Sequence, residues 1–496
     1  MAFDLGEFDA RVKGMPLPLL YAVGTGIALL ALVILRFISN SLPAKSPPIF
    51  EGTPFIGGIM KFIKGPMKLM HDGYMRSGEV FTVPVLHKNF TFLLGPHVSG
   101  HFFKANDDEM SQKEVYEFNV PTFGKGVVFD VDHKVRAEQF RFFAEALKSA
   151  KLKIYVPYFV QEAQDFFSKW GQEGTIDFAK TFSELIILTA SRTLMGREVR
   201  ESMFHQVADL FHDLDMGMLP ISVLFPYLPI PAHWARDRAR AELSRIFARI
   251  IQARRESKAT EEDILQCFID SRYEKVYGGR YLNDEEITGM LIATLFAGQH
   301  TSSITSAWTG LTMIRDKASF KAAVEEQRQV IAKHGHELSM EALNDMKVLE
   351  RCMMEALRLF PPLIMLLRQA KAPFAVTTSQ GKTYVIPKGH VVATSPAYSH
   401  RLPHVFSRPD EFDPERFAAP REEDKAAPFS FIGFGGGRHG CMGSNFAILQ
   451  IKSIWSVLLR SFEFELVDTF PEPDFESMVV GPKPCRVHFR RRSQPL

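Results

Sequence analysis

The longest apolar stretch lies between Lys13 and Arg36, where GMPLPLLYAVGTGIALLALVIL runs for 22 residues without a charge. As a helix it reaches roughly 33 Å, enough to cross a bilayer. It is hydrophobic on every face, unlike a surface helix, and no small-residue cleavage site follows it as in a signal peptide. It predicts a membrane anchor over residues 1–40. Pro43, Pro47, Pro48 and Pro54 then make a stiff linker over 41–60, ahead of a body at 61–496.

Within the body the pattern changes three times. From about Gly73 to Pro96, EVFTVPVL and NFTFLL read as strands, and from about 135 to 360 the apolar spacing is helical. A second β region covers roughly 364 to 395, with turns at Ser379–Gly381 and Pro387–Gly389, and a last helix begins just after Cys441. Asn283 and Glu286 make a capping box for a helix of about 30 residues. Polar Gly298–Ser303 interrupts that helix, which predicts a bulge or kink there. No internal repeat is present. The expected fold class is mainly α with small β-sheets, as one unit.

Composition narrows the function. Lys plus Arg is 59 against 57 Asp plus Glu, so no excess of positive charge points to nucleic acid. Mean hydropathy of −0.05 excludes a polytopic membrane protein. Phe is abundant at 43 residues, which suits a large apolar interior. Cys267, Cys352, Cys441 and Cys485 show no CxxC spacing, which excludes a zinc ribbon, and their scatter fits a reducing compartment. Residues 218–234, MLPISVLFPYLPIPAHW, form an apolar, proline-broken loop that could dip into a membrane surface. The arginines that follow, from Arg236 to Arg255, are expected on a solvated helix face.

The most informative stretch is PFSFIGFGGGRHGCMGSNFA, residues 428–447. Gly435, Gly437 and Gly440 fit a dinucleotide fingerprint, but no βαβ unit surrounds them and too little chain follows. Cys441 instead stands in a glycine-rich loop before a helix, where amide groups and the helix dipole favour a thiolate. Glu355 and Arg358 share one helix face. Pro414–Phe417, PERF, lies between that helix and the cysteine loop.

The loop Phe434-x-x-Gly437-x-His439-x-Cys441-x-Gly443, together with ExxR and PERF, resembles the cytochrome P-450 superfamily. Many members carry Arg where His439 stands. The resemblance implies haem b with Cys441 as its axial thiolate, bordered by Phe434 and Gly435, and a structural triad of Glu355, Arg358 and Arg416. It also implies that Thr301 helps deliver protons during oxygen activation. Most members have an acid before that threonine, and this chain has His300. AGQHTSS resembles the sterol 14α-demethylases, as do residues 115–130, 361–370 and 475–482.

That family likeness implies propionate contacts at Tyr116, Arg368 and His439, with Lys134 and Arg136 as further candidates. Phe129 stands where some members carry Tyr. Phe118, Phe123, Phe296, Ala297, Leu363, Met365, Met478 and Val479 are expected to line a sterol pocket. The activity implied is removal of a sterol 14α-methyl group by three oxidations that use O2 and NADPH through cytochrome P-450 reductase. The body would face the cytosol, anchored by a single pass in the endoplasmic reticulum. Phe118 points to plant-like members acting on C4-monomethyl, obtusifoliol-like sterols. Three alternatives remain open: another apolar polycyclic substrate, a haem-thiolate lyase or isomerase, and a sterol-binding protein without turnover.

Overall fold

The computed structural model describes residues 45–496 apart from 51–57, 59–60, 63–64, 86–87, 224 and 258–259, together with Thr25. The expected anchor lies outside the described residues; among those described, no helix is long and apolar enough to cross a membrane.

The body is mainly helical, as the periodicity predicts. Its helices include α1 (Pro66–Ser77), α2 (Pro96–Lys104), α3 (His133–Ala146), α4 (Ser149–Ser168) and α5 (Phe178–Ala190). After these come α6 (Phe204–Met216), α7 (Pro231–Ser257), α8 (Asp284–Arg315), α9 (Lys317–His334), α10 (Lys347–Leu359) and α11 (Ser444–Ser461). A five-stranded sheet joins the two β regions in the order β1 (Val80–Val85), β2 (Lys88–Leu93), β8 (Val391–Thr394), β5 (Leu366–Ala370), β3 (Met110–Ser111). Only the β2–β8 pair is parallel. β6 (Phe374–Thr377) and β7 (Thr383–Ile386) form a hairpin closed by Gly381, whose φ of 80° favours glycine. A three-stranded sheet of β4 (Glu173–Asp177), β12 (Arg486–Arg491) and β9 (Phe462–Leu466) was not visible in the sequence. The first strand region also starts later than expected, because 73–77 complete α1.

The body reaches back into the proline-rich segment. Phe50 is buried, its N–H donates to Thr82 O (2.8 Å), and Thr82 N–H donates to Pro48 O (2.9 Å). Residues 45–50 therefore belong to the body, earlier than the boundary at 61.

α8 crosses the core, and most of its side chains are buried on all sides. The capping box forms as predicted: Asn283 Oδ1 accepts from Glu286 N–H and Glu286 Oε2 from Asn283 N–H, both at 2.9 Å. The bulge expected at 298–303 is absent, and the α-helix is unbroken. Thr301 Oγ1 donates to Ala297 O (2.7 Å), so the hydroxyl is satisfied by the preceding turn. The π-turns lie elsewhere, at Ser191–Met195 and Val199–Met203.

The arginines of α7 do not all face solvent. Arg238, Arg245, Arg249 and Arg255 do, but Arg236 and Arg254 are buried on the stripe of Ala239, Leu243, Ile246 and Ile250. Arg254 is clasped by Glu198 (2.6 Å) and Asp263 (2.8 Å). Arg236 donates to Pro226 O (3.0 Å) and so braces the apolar loop, which leaves Ile221, Val223, Phe225 and Tyr227 exposed.

Candidate functional site

The cysteine loop is shaped by its glycines. Gly435 and Gly437 take φ of 70° and 59°, and a Cβ on Gly437 would run into the Phe103 carbonyl. Cys441 N–H donates to Phe434 O (2.8 Å), which closes the loop and leaves the cysteine exposed. α11 begins only at Ser444, so the thiol lies before the helix and not on its first turn. Partial burial in the concave loop pushes the thiol above its ordinary pKa, with only the Gly443 amide opposing.

The loop is held from behind by a buried polar scaffold. Glu355, Arg358 and Arg416 are fully buried. Glu355 accepts from Arg358 Nε (2.6 Å) and Nη2 (2.9 Å), and from Arg416 Nε (2.9 Å), which assembles the triad expected from ExxR and PERF. Arg358 also donates to the carbonyls of His400 (2.8 Å), Pro409 (2.7 Å) and Glu411 (3.1 Å). His400, which sequence reasoning passed over, carries the scaffold to the loop: its Nε2 accepts from Ile432 N–H (2.8 Å). Its Nδ1 therefore donates to Arg358 O (3.2 Å), the neutral tautomer, and burial pushes its pKa down to about 3.

A second cluster gathers around Arg368, His439 and Arg136. Arg368 is buried on β5 and donates to the carbonyls of Phe102 (2.6 Å), Ala105 (3.2 Å), Asn106 (3.3 Å) and Met110. Burial lowers its pKa to about 10. Arg136, in the first turn of α3, donates to Asp107 (2.6 Å). His439 Nε2 lies 3.9 Å from the same carboxylate. Burial and the neighbouring Arg368 push His439 down to about 4. Four buried nitrogens here have no hydrogen-bond partner: Arg136 Nη1, Arg368 Nε, and Nδ1 and Nε2 of His439. Buried polar atoms are rarely left so, and the two guanidinium nitrogens with the one N–H of a neutral His439 fit a ligand carrying carboxylates. Lys134 is exposed, and no side-chain bond joins it to this cluster.

Tyr116 approaches from another side: its Oη accepts from Leu367 N–H (3.4 Å), and burial raises its pKa. It begins an aromatic wall. Its ring lies 6.4 Å from Phe118 and 5.3 Å from Phe129; Phe129 meets Phe123 (6.2 Å), and Phe123 meets Phe296 on α8 (6.0 Å). Beside Phe296, Ala297 is exposed in the middle of the otherwise buried α8, and a Cβ on Gly298 would touch nothing within 4 Å. An open space therefore runs along this face. The C-terminal loop joins it where Val480 N–H donates to Pro362 O (2.8 Å), which holds Met478 and Val479 near Leu363. Leu363 and Met478 are 42% and 41% exposed. Met365 turns partly away, packing with the cluster that contains Phe81 and Phe92.

His300 is not an isolated core histidine. Its Nε2 pairs with Asp215 Oδ1 of α6 at 2.9 Å, and that bond raises its pKa despite partial burial. Asp215 carried no sequence signal, since it lies on another helix.

Comparison with known proteins follows the same lines. The family profile described as Cytochrome P450 matches residues 47–489. A wheat (Triticum aestivum) protein named obtusifoliol 14-alpha demethylase is 60% identical over 450 residues, 90% of this chain and 99% of that one. An Arabidopsis thaliana protein named sterol 14-demethylase is 58% identical, with 94% of this chain and 97% of that one covered. A mouse (Mus musculus) lanosterol 14-alpha demethylase is 39% identical, covering 94% and 92%. Among solved structures, retinoic acid-bound cyanobacterial CYP120A1 superposes with a TM-score of 0.78 at 22% identity, over 91% of this chain and all of that one, a likeness of fold.

Proposed function

The chain belongs to the cytochrome P450 family, and from that premise we propose that it is a sterol 14α-demethylase that takes C4-monomethyl, obtusifoliol-like sterols. The observation that carries the reading is the aromatic wall from Phe118 to Phe296. It lies along an open α8 face within a chain whose plant relatives at 58–60% identity bear that activity in their names. The family and fold imply haem, and the residues present fit it. Cys441 is the one cysteine in the glycine loop, and Arg136, Arg368 and His439 offer unpartnered donors for its carboxylates. When bound, haem supplies the oxygen-activating chemistry, with its thiolate donor favouring O–O cleavage.

The chain's own residues do the rest. Cys441 would hold the haem iron through its thiolate, and the Glu355–Arg358–His400 scaffold fixes the loop that carries it. Phe118, Phe123, Phe296, Ala297, Leu363, Met478 and Val479 exclude water and orient a flat apolar substrate. Thr301 lies one residue beyond His300, and the Asp215 carboxylate keeps that imidazole charged to higher pH. His300, where most members of the superfamily carry an acid, can therefore hold a proton one residue before Thr301. Electrons come from NADPH through cytochrome P-450 reductase. Residues 1–40 anchor the chain in the endoplasmic reticulum membrane with the body in the cytosol, and the exposed Ile221, Val223, Phe225 and Tyr227 side chains add peripheral contact.

A reconstituted incubation with reductase, NADPH and a panel of 14α-methyl sterols tests the proposal. The expected products are the 14-demethylated sterols and formate, with obtusifoliol converted most efficiently. Binding without product would leave a sterol-binding protein in place of an enzyme.

A further inference from the structure

The donors assigned to haem meet beside a carboxylate with no task so far, Asp107. Its place is fixed by the turn that carries it. Asn106 Oδ1 accepts from the N–H groups of Asp108 (3.1 Å) and Glu109 (2.9 Å), and Met110 N–H donates to Asn106 O (2.9 Å). Arg368 ties the same turn to β5 through its bonds to the carbonyls of Ala105, Asn106 and Met110. Asp107 Oδ1 then accepts from Arg136 Nη2 at 2.6 Å and stands 3.9 Å from His439 Nε2. The Arg136 side chain is only 4% exposed.

We infer that Asp107 is a positioning residue and an internal counter-charge for the cofactor site; this rests on the haem reading above. Without Asp107, the buried Arg136 guanidinium would lose its carboxylate partner close to a second buried guanidinium, Arg368, a costly arrangement. With it, Arg136 is held in place with Nη1 free and its charge already balanced. Two cofactor carboxylates arriving there add to the negative charge that Asp107 already places among Arg136, Arg368 and Arg438. Reduction of the cofactor adds an electron to the same water-poor region. The Asp107 charge therefore opposes both carboxylate binding and reduction.

Asp107→Asn separates charge from position, because the amide oxygen still accepts from Arg136. In the full-length holoprotein, the reduction midpoint from a spectroelectrochemical titration is expected to move to a more positive potential. Haem transfer to excess apomyoglobin is expected to slow about fivefold, an ordinary size for coupling between neighbouring sites. Asp108→Asn, an exposed neighbour outside the cluster, is expected to leave both values at wild type. Asp107→Ser, also neutral and able to accept, gives the same potential shift should the Asn variant load haem poorly. An unchanged or lower midpoint would overturn the inference, as would faster haem loss at an unchanged midpoint, the mark of a residue that only braces the turn. An equal shift in Asp108→Asn would reduce the effect to general charge and overturn it too. A wild-type protein without a thiolate-ligated haem spectrum would instead refute the underlying haem reading, before any variant is compared.

Discussion

Glu355→Gln removes one negative charge from a fully buried cluster that holds two guanidiniums. Arg416 keeps a second carboxylate, Glu423, at 2.8 Å. Arg358 has none, only the carbonyls of His400, Pro409 and Glu411. The cost therefore falls mainly on Arg358, as an uncompensated buried charge. Removing one partner of a buried pair typically costs about 3–5 kcal/mol, while a whole domain is stable by only about 5–15 kcal/mol. The ratio of folded to unfolded protein should drop by a factor of roughly 160 to 5,000. Because Arg358 leads through His400 to Ile432, the cysteine loop should loosen first. Guanidinium unfolding of the purified holoprotein would be followed by haem absorbance and by far-ultraviolet circular dichroism. The haem signal is expected to be lost at lower denaturant than the helical signal, and both earlier than in wild type. Arg416→Lys should do less damage than Glu355→Gln, since it keeps a charge beside Glu355 and Glu423. A Glu355→Gln protein within about 1 kcal/mol of wild type would refute the argument, because a median surface pair costs that little.

Cys441→Ser is expected to abolish the reduced carbon monoxide spectrum of thiolate-ligated haem, whereas Cys352→Ser, buried on α10, should keep it. His300→Ala should uncouple NADPH consumption from product, and normal coupling would dismiss the proton-holding role. The Asp215 bond raises the His300 pKa above its unfolded value. Its contribution to stability is therefore full below the ordinary imidazole pKa and fades as pH rises through the raised one, which denaturation of wild type and Asp215→Asn across pH 5–9 can follow. Phe118→Leu should relax the preference for C4-monomethyl over C4-dimethyl sterols by roughly 10-fold or more, read as a ratio of kcat/KM values. Deletion of residues 1–40 should release the body from the bilayer core but leave partial binding to liposomes, which Phe225→Ser with Tyr227→Ser should weaken.

What the sequence determined by itself is what local rules control. The capping box of α8 involves residues three apart, so Asn283 and Glu286 had to meet once a helix formed. Glu355 and Arg358 share a face for the same reason. Even the buried arginines of α7 were legible. Arg236, Ala239, Leu243, Ile246, Ile250 and Arg254 follow helical spacing, and reading every charge as solvated hid that stripe. The tertiary structure decided the pairs with no periodic relation. Asp215 reaches His300 from another helix, Asp107 stands beside His439 across most of the chain, and His400 bridges Arg358 to Ile432. It also decided that Thr301 bonds within an unbroken helix, and that charged β12 is sheltered between β4 and β9. Periodicity reports which face of an element is buried, but which residue of a distant element covers that face follows only from how the elements pack.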